Sequence, residues 1–258
     1  MSNFFKNFPL TSYNFTDNKN NKQVILDIFK HVKSTINLDD TQSYVYHTIA
    51  EGSRPDQVSQ ELYDTPDYYW TFFMINNHLI NGMSSWPKEY NELQTFLKIK
   101  YPYHTLTGYR NTGVLAGEEH LFYRKNFIIG ETIQGSETGY TAKIININYD
   151  MNCIKLGELT GNFNSTEQID GLTSGAFVPQ GSSDYTFSLQ EQIQSAHHYE
   201  KGDEITPRII YSVDETLLYE VTNFNYEVGV NESSMDIKVL KPQYIEDFSR
   251  TYKKLING

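Results

Sequence analysis

A chain of 258 residues accommodates one large domain or two modest ones and is long enough to bury a proper core. Its net charge of −11 and pI near 5.1 argue against a general nucleic-acid binder, which needs a basic footprint. The single cysteine, Cys153, excludes an internal disulfide framework and a cysteine-based zinc site, and its apolar setting reads as a structural thiol. Aromatic residues make up 14% of the chain, led by 20 Tyr and 15 Phe. That surplus suits a surface that is largely contact area, because Tyr buries a ring and keeps a polar tip. The opening MSNFFKNFPL lacks a basic start leading into a long apolar core, so no signal peptide is expected. No run approaches the roughly 18 consecutive apolar residues of a membrane span, so no membrane partner is expected either.

The segment up to about residue 22 is aromatic but irregular, with a polar loop at DNKNNK. Val24, Ile25, Ile28, Phe29 and Val32 recur at helical spacing and predict a short amphipathic helix over 23–34. Residues 44–49 are rich in aromatic and β-branched side chains and read as a strand. Ser53 and Asp56 suggest a capping box for a helix with Pro55 in its first turn and an apolar face at Val58 and Leu62. Thr65-Pro66 starts a second helix, with Trp70, Phe73, Met74 and Asn77 on one side. A further short helix is expected over 88–99, ended by Tyr101-Pro102.

From about 109 to 185 the chain turns rich in Gly, Thr and Ser. Phe127, Glu131, Ile133, Gly135 and Gly139 are echoed 36 residues later by Phe163, Glu167, Ile169, Gly171 and Gly175. The copies bracket two expected strands, 142–149 and 153–159, and point to a compact all-β module with pseudo-symmetric corners. Strands are expected at 208–213 and 217–222, and a hairpin at 225–230 and 235–240 around NESS. After Pro242, Ile245, Phe248, Tyr252 and Leu255 step along one helix face, with Arg250, Lys253 and Lys254 near its end. That stripe either meets another subunit or packs on the hairpin at 225–240. Altogether the fold class is α+β, in three parts: 1–108, 109–185 and 186–258.

Chemical motifs are sparse. Glu118-Glu119-His120 reads as a solvated loop, because adjacent residues point in different directions. His197-His198 and Glu200 lack HExxH or facial-triad spacing, and GETIQGSETG lacks the G-K-[ST] of a phosphate loop. No catalytic residue, metal ligand or cofactor site is nominated, and a non-enzyme is expected.

The information therefore concentrates in residues 44–77. A strand, a Pro-started helix, a second Pro-started helix with Trp70 and a closing Asn pair resemble a LysM-type module, a β-α-α-β unit of about 44–84 best known for gripping glycan. The pattern YxxxxxxEGSRPDxVxxxLYDxPxxYW, beginning at Tyr44, more closely resembles the LysM-like segment of baseplate wedge subunits of T-even-like contractile-tailed phages, the gene product fifty-three family. Asp27-Ile28-Phe29 before it and the amphipathic C-terminal helix come in the family's order, while the β-rich middle departs from it. The resemblance implies a structural virion protein of the tail baseplate, assembled in the host cytoplasm. Such a subunit joins wedge proteins and ties neighbouring wedges into a six-fold ring around the hub, in six copies or a multiple. Tyr44, Pro55, Val58, Leu62, Tyr63, Trp70, Phe73 and Asn76 are then the module's core or docking residues, and Ile245, Phe248, Tyr252 and Leu255 an interface on the last helix. A second reading, from a different class, is a glycan-binding LysM module of a tail-associated lysin or adhesin. The EGSRPD turn, where sugar binders usually carry GDT, and the single copy weigh against it.

Overall fold

The computed structural model describes residues 8–14, 22–27, 42–110, 127–148, 151, 153–178, 185–201, 204–206 and 219–257. They fall into two compact units, Met1–Tyr90 with Val230–Gly258, and Asn91–Gly229, so the second is an insertion in the sequence of the first. Both units mix helix and strand in an α+β chain. Among the described residues no helix is long and apolar enough to cross a membrane.

In the first unit, β1 (Leu10–Asn14) and β2 (Lys22–Leu26) form an antiparallel hairpin, pairing Leu10 with Leu26 and Asn14 with Lys22. This corrects the helix expected over 23–34 and the irregular start before it. Val24 and Ile25 fit a pleated ladder as well as a helix face, and pairing with Leu10–Asn14 decides the matter. Residues 28–34 lie outside the described residues.

β3 (Tyr44–Thr48) leads into α1 (Pro55–Tyr63) and α2 (Trp70–Ile75), with a 3-10 turn at Pro66–Tyr68 between them. The cap of α1 sits one residue later than expected. Arg54 is the N-cap, its N–H donates to Gln57 Oε1 at 2.9 Å, and its guanidinium reaches Asp56 instead. Asp64 closes the helix in the left-handed region at φ 59°. Buried Ser59 ties the two helices, donating to Thr65 O at 2.7 Å and accepting the Tyr68 N–H at 3.2 Å.

No second strand occurs within 44–84, where 3-10 turns follow α2 at Asn77–Leu79 and Gly82–Ser85. The antiparallel partner of β3 comes from near the chain's end, Asp236–Leu240, pairing Tyr44 with Leu240 and Thr48 with Asp236. The last helix, Pro242–Asn257, follows directly. One cluster gathers Trp70, Ile75, Leu240, Ile245, Phe248 and Tyr252; another gathers Val58, Phe72, Leu79, Trp86, Ile237 and Val239. The six-residue α2 serves both, which is why apolar residues run almost all round it.

The second unit opens with α3 (Tyr90–Lys100), close to the helix expected over 88–99. It continues through β4 (His104–Arg110), β5 (Thr132–Gly135), β6 (Thr141–Asn148), β7 (Cys153–Gly157), β8 (Ile169–Gly171), β9 (Phe177–Val178) and β10 (Tyr185–Glu191). These seven form an antiparallel sheet in the order β10-β4-β7-β6-β5-β8-β9, which takes in strands on both sides of the 109–185 stretch. A three-stranded sheet places β11 (Ala196–Lys201) between β12 (Glu204–Thr206) and β13 (Tyr219–Thr222). The strand expected at 208–213 and the start of that at 217–222 lie outside the described residues.

Where a hairpin was expected at 225–240, the chain forms α4 (Asn223–Ser233) and then β14, the Asp236–Leu240 strand already described. Phe224, Tyr226, Val228 and Val230 alternate like a strand, but the helix is held by polar groups four residues apart. Thr222 Oγ1 accepts the Asn225 N–H, Asn223 Nδ2 donates to Gln192 O at 2.8 Å, and buried Glu227 accepts from Lys100 Nζ and Tyr101 Oη, both at 2.7 Å. In the first unit Asn231 continues the series, donating to Lys88 O and accepting the Lys88 N–H. The last helix, Pro242–Asn257, is α5.

The two echoed segments occupy equivalent places in the sheet. β5 and β8 pair so that Ile133 faces Gly171 while Gly135 faces Ile169, as a local two-fold exchange of the copies requires. Each glutamate clasps the other copy's turn. Glu167 accepts from the N–H groups of Glu137 and Thr138 and from Thr138 Oγ1; Glu131 accepts from those of Thr173 and Ser174 and from Ser174 Oγ. Each also accepts an N–H three residues before itself, from Asn164 or Ile128. Gly139 and Gly175 supply matching left-handed turns at φ 69° and 68°. Gly135 and Gly171 leave room for the facing carboxylates, onto which a Cβ would fall. Burial alone pushes both carboxyls up, but the converging donors outweigh it and hold them below the ordinary carboxylate range.

Candidate functional site

The structure brings all eight residues nominated at 44–77 into the first unit. Pro55, Val58, Trp70 and Asn76 are buried, while Tyr44, Leu62, Tyr63 and Phe73 are half-buried. Trp70 is 4% exposed and stacks on Phe248 and Tyr252, with ring centroids 5.9 and 4.9 Å away. Asn76, rather than Asn77, turns inward. Its Nδ2 donates to Phe72 O and Lys238 O at 2.9 Å, and its Oδ1 accepts the Lys238 N–H at 2.8 Å, binding α2 to β14. Tyr63 Oη donates to Leu240 O at 2.9 Å, and burial of this phenol raises its pKa despite that bond. Tyr44 lies under Lys238 Nζ, 4.7 Å from its ring centroid.

The stripe on α5 is spent on the same core. Ile245, Phe248 and Tyr252 are buried, and Leu255, at 38% exposure, gives its expected place to Ile256. Those three side chains are closed to a partner while the unit is folded. This corrects their nomination as an interface, and β14, not a hairpin, shares their cluster.

Several large apolar side chains that stand exposed on the first unit were not picked out in the sequence. Tyr46, Ile80 and Met83 are 70%, 71% and 61% exposed, on β3 and in the turns after α2. None of the three had a legible signal: even on β3 there is no alternation to read, since Val45 beside Tyr46 is exposed and His47 half-buried. At the start of α1 an open depression of about 440 Å³ is lined by Arg54, Asp56, Pro66, Asp67 and Tyr69 among others.

In the second unit, His198 Nε2 lies 3.1 Å from Glu200 Oε1, and the Nδ1 atoms of His197 and His198 are 2.8 Å apart. Among the described residues no group of three or more His, Cys, Asp or Glu is disposed to hold a metal ion. Glu118-Glu119-His120 lies outside the described residues. Cys153 is half-buried, and desolvation pushes its thiol up to about 11, away from nucleophilic use. A polar cavity of about 190 Å³ lies in the same unit, lined by Thr105, Asn146, Lys155, Gln192, Ser195 and Asn223 among others. No family model matches this chain, and no curated protein matches it in sequence.

Proposed function

We propose that this chain is a non-enzymatic structural subunit of a phage tail baseplate wedge, joining wedge proteins and linking neighbouring wedges into a six-fold ring. The observation that supports the reading most is the discontinuous first unit. The EGSRPD…YYW segment and the C-terminal helix, which carry the resemblance from far apart in the chain, pack into one core through Trp70, Phe248 and Tyr252. The β-rich insertion then elaborates a shared framework rather than interrupting it. Exposed Tyr46, Ile80 and Met83 supply large apolar contact area of the kind buried between subunits. The glycan-gripping alternative needs an exposed ring in a shallow groove, and Trp70 is unavailable for that purpose.

Baseplates purified from virions of the phage that encodes the chain test the proposal. Quantitative mass spectrometry should find the protein in six copies or a multiple of six per baseplate. Tyr46→Asp with Met83→Asp should leave the isolated chain folded and exclude it from the particle. Its absence from purified baseplates, or unimpaired incorporation of the double variant, would overturn the reading or this choice of surface respectively.

A further inference from the structure

The polar cavity of the second unit has the construction of a ligand site. Its floor is a saturated network. Ser195 Oγ donates to Gln192 O at 2.8 Å and accepts from Thr105 Oγ1 and Asn223 Nδ2, both at 3.2 Å. Asn223 Nδ2 also reaches Ser195 O at 3.1 Å. Against this floor the Gln192 side chain is enclosed, at 8% exposure, and its Oε1 has no hydrogen-bond partner among the described residues. Native interiors seldom leave such a group unmet, because an unsatisfied buried polar atom costs about 1–3 kcal/mol.

The wall is formed by a β-bulge. The register of β6 against β7 shifts between Ile144 and Asn146, so the buried positions change from Ala142 and Ile144 to Ile147. Asn146 and Asn148 consequently share the opposite face, and both line the cavity. Each spends its Oδ1 on a local N–H, of Ile147 at 2.7 Å and Met151 at 3.1 Å, which leaves the Nδ2 ends as donors. His197 adds a flat wall, stacked on Tyr226 at 3.8 Å, and burial followed by the neighbouring His198 lowers its pKa and favours the neutral ring. Lys155 is the one Lys or Arg side chain among the described residues of the lining.

From this geometry we propose that the cavity binds one sugar ring of a glycan, with a preference for a ring bearing a carboxylate. Amide groups beside a flat ring suit hydroxyls, each of which donates and accepts. One lysine suits a single carboxylate and falls short of a phosphate chain. The volume exceeds the ~10–15 Å³ that one water requires and stays below the ~300 Å³ of the smallest drug-sized pockets, so a single ring fits and a longer oligomer extends outside. The proposal stands apart from the assembly reading, since it concerns only the inserted unit.

Ligand-observed NMR titration of the full chain with methyl glucuronide and methyl glucoside tests it. Both should bind saturably with Kd in the millimolar range, roughly 1–10 mM, the glucuronide about fivefold tighter. Gln192→Leu should weaken both about tenfold, since it removes the enclosed amide. Asn146→Ala, at an exposed position, should weaken both several-fold without moving the melting temperature, so that a misfolded Gln192→Leu leaves the test intact. Lys155→Met should abolish the preference for the glucuronide and spare the glucoside. No saturation of either sugar up to about 50 mM, or binding indifferent to both Gln192→Leu and Asn146→Ala, would overturn the site. A glucoside bound as tightly as the glucuronide would overturn the assigned role of Lys155.

Discussion

Replacing Glu167 by Gln changes one polar group and strikes one of the two four-bonded carboxylates of the second unit's clasp. Glu167 is fully buried, and its two oxygens accept four hydrogen bonds: Asn164 N–H at 2.7 Å, Thr138 Oγ1 at 2.8 Å, and the N–H groups of Glu137 and Thr138 at 2.9 Å. Each oxygen takes two of them. An amide keeps one acceptor and turns an NH₂ toward the partners of the other; two N–H bonds are lost if it replaces Oε2, and one if it replaces Oε1, where the Thr138 hydroxyl can turn to accept, while the bonds that stay lose the charge. Hydrogen bonds to a charged group are worth about 1.5–3 kcal/mol each, so the substitution should cost about 2–4 kcal/mol of stability in the inserted unit. Urea denaturation of the full chain, followed by far-UV circular dichroism, measures it. Glu131→Gln should cost a similar amount, because the other half of the clasp has the same bonds. The two carboxyls also predict acid sensitivity. Their folded pKa values are depressed, so the stabilisation is present above the unfolded value of about 4.3 and is lost as pH falls through the folded value. Glu167→Gln should therefore flatten the loss of stability below about pH 4. A cost under about 1 kcal/mol for both variants would refute the clasp as a stabilising device.

Gly135→Ala should destabilise the same unit by at least about 1–3 kcal/mol, because the added Cβ falls on the Glu167 carboxylate; an unchanged urea midpoint would count against that packing. Trp70→Ala should cost about 3–5 kcal/mol in the first unit through the cavity left beside Phe248 and Tyr252, and a small change in the melt would mean the ring is not core. Removal of residues 242–258 should unfold the first unit rather than expose a tidy interface, whereas Leu255→Ser should shift stability by less than about 1 kcal/mol. Cys153, with its thiol pushed up to about 11, should resist iodoacetamide at neutral pH in the folded chain and react once unfolded.

What could be read from sequence follows from how local each signal is. The first Pro-started helix and the burial of Trp70 rest on spacing within a few residues and the echoed corners on a fixed offset of 36, and the structure bears them out; at Thr65-Pro66 it forms a 3-10 turn instead, and the second helix begins at Trp70. The identity of the strand that completes β3 was hidden, because Asp236–Leu240 lies far along the chain and only burial of Ile237 and Val239 beside Val58 reveals it. Helix α4 was read as a strand because its apolar residues alternate, while its anchors are Asn223 and Glu227, polar groups whose partners cannot be guessed from periodicity. The cavity was invisible for a related reason. A one-residue bulge in β6 decides which way Asn146 points, and no pattern in AKIININ announces it.

The pairing of β3 with β14 has a consequence for synthesis on the ribosome. Thr48 and its partner Asp236, joined by a side-chain bond at 2.6 Å, are 188 residues apart, so at ~5–20 residues per second roughly 10–40 s separate their appearance. During that interval Trp70 and Phe72 have neither α5 nor β14 to cover them. The inserted unit, contiguous in sequence, can complete its sheet first. The nascent chain thus holds an aromatic, aggregation-prone half-module open until β14 and α5 emerge. Premature termination anywhere in the insertion would release that half-module uncovered, a natural substrate for chaperones and proteases.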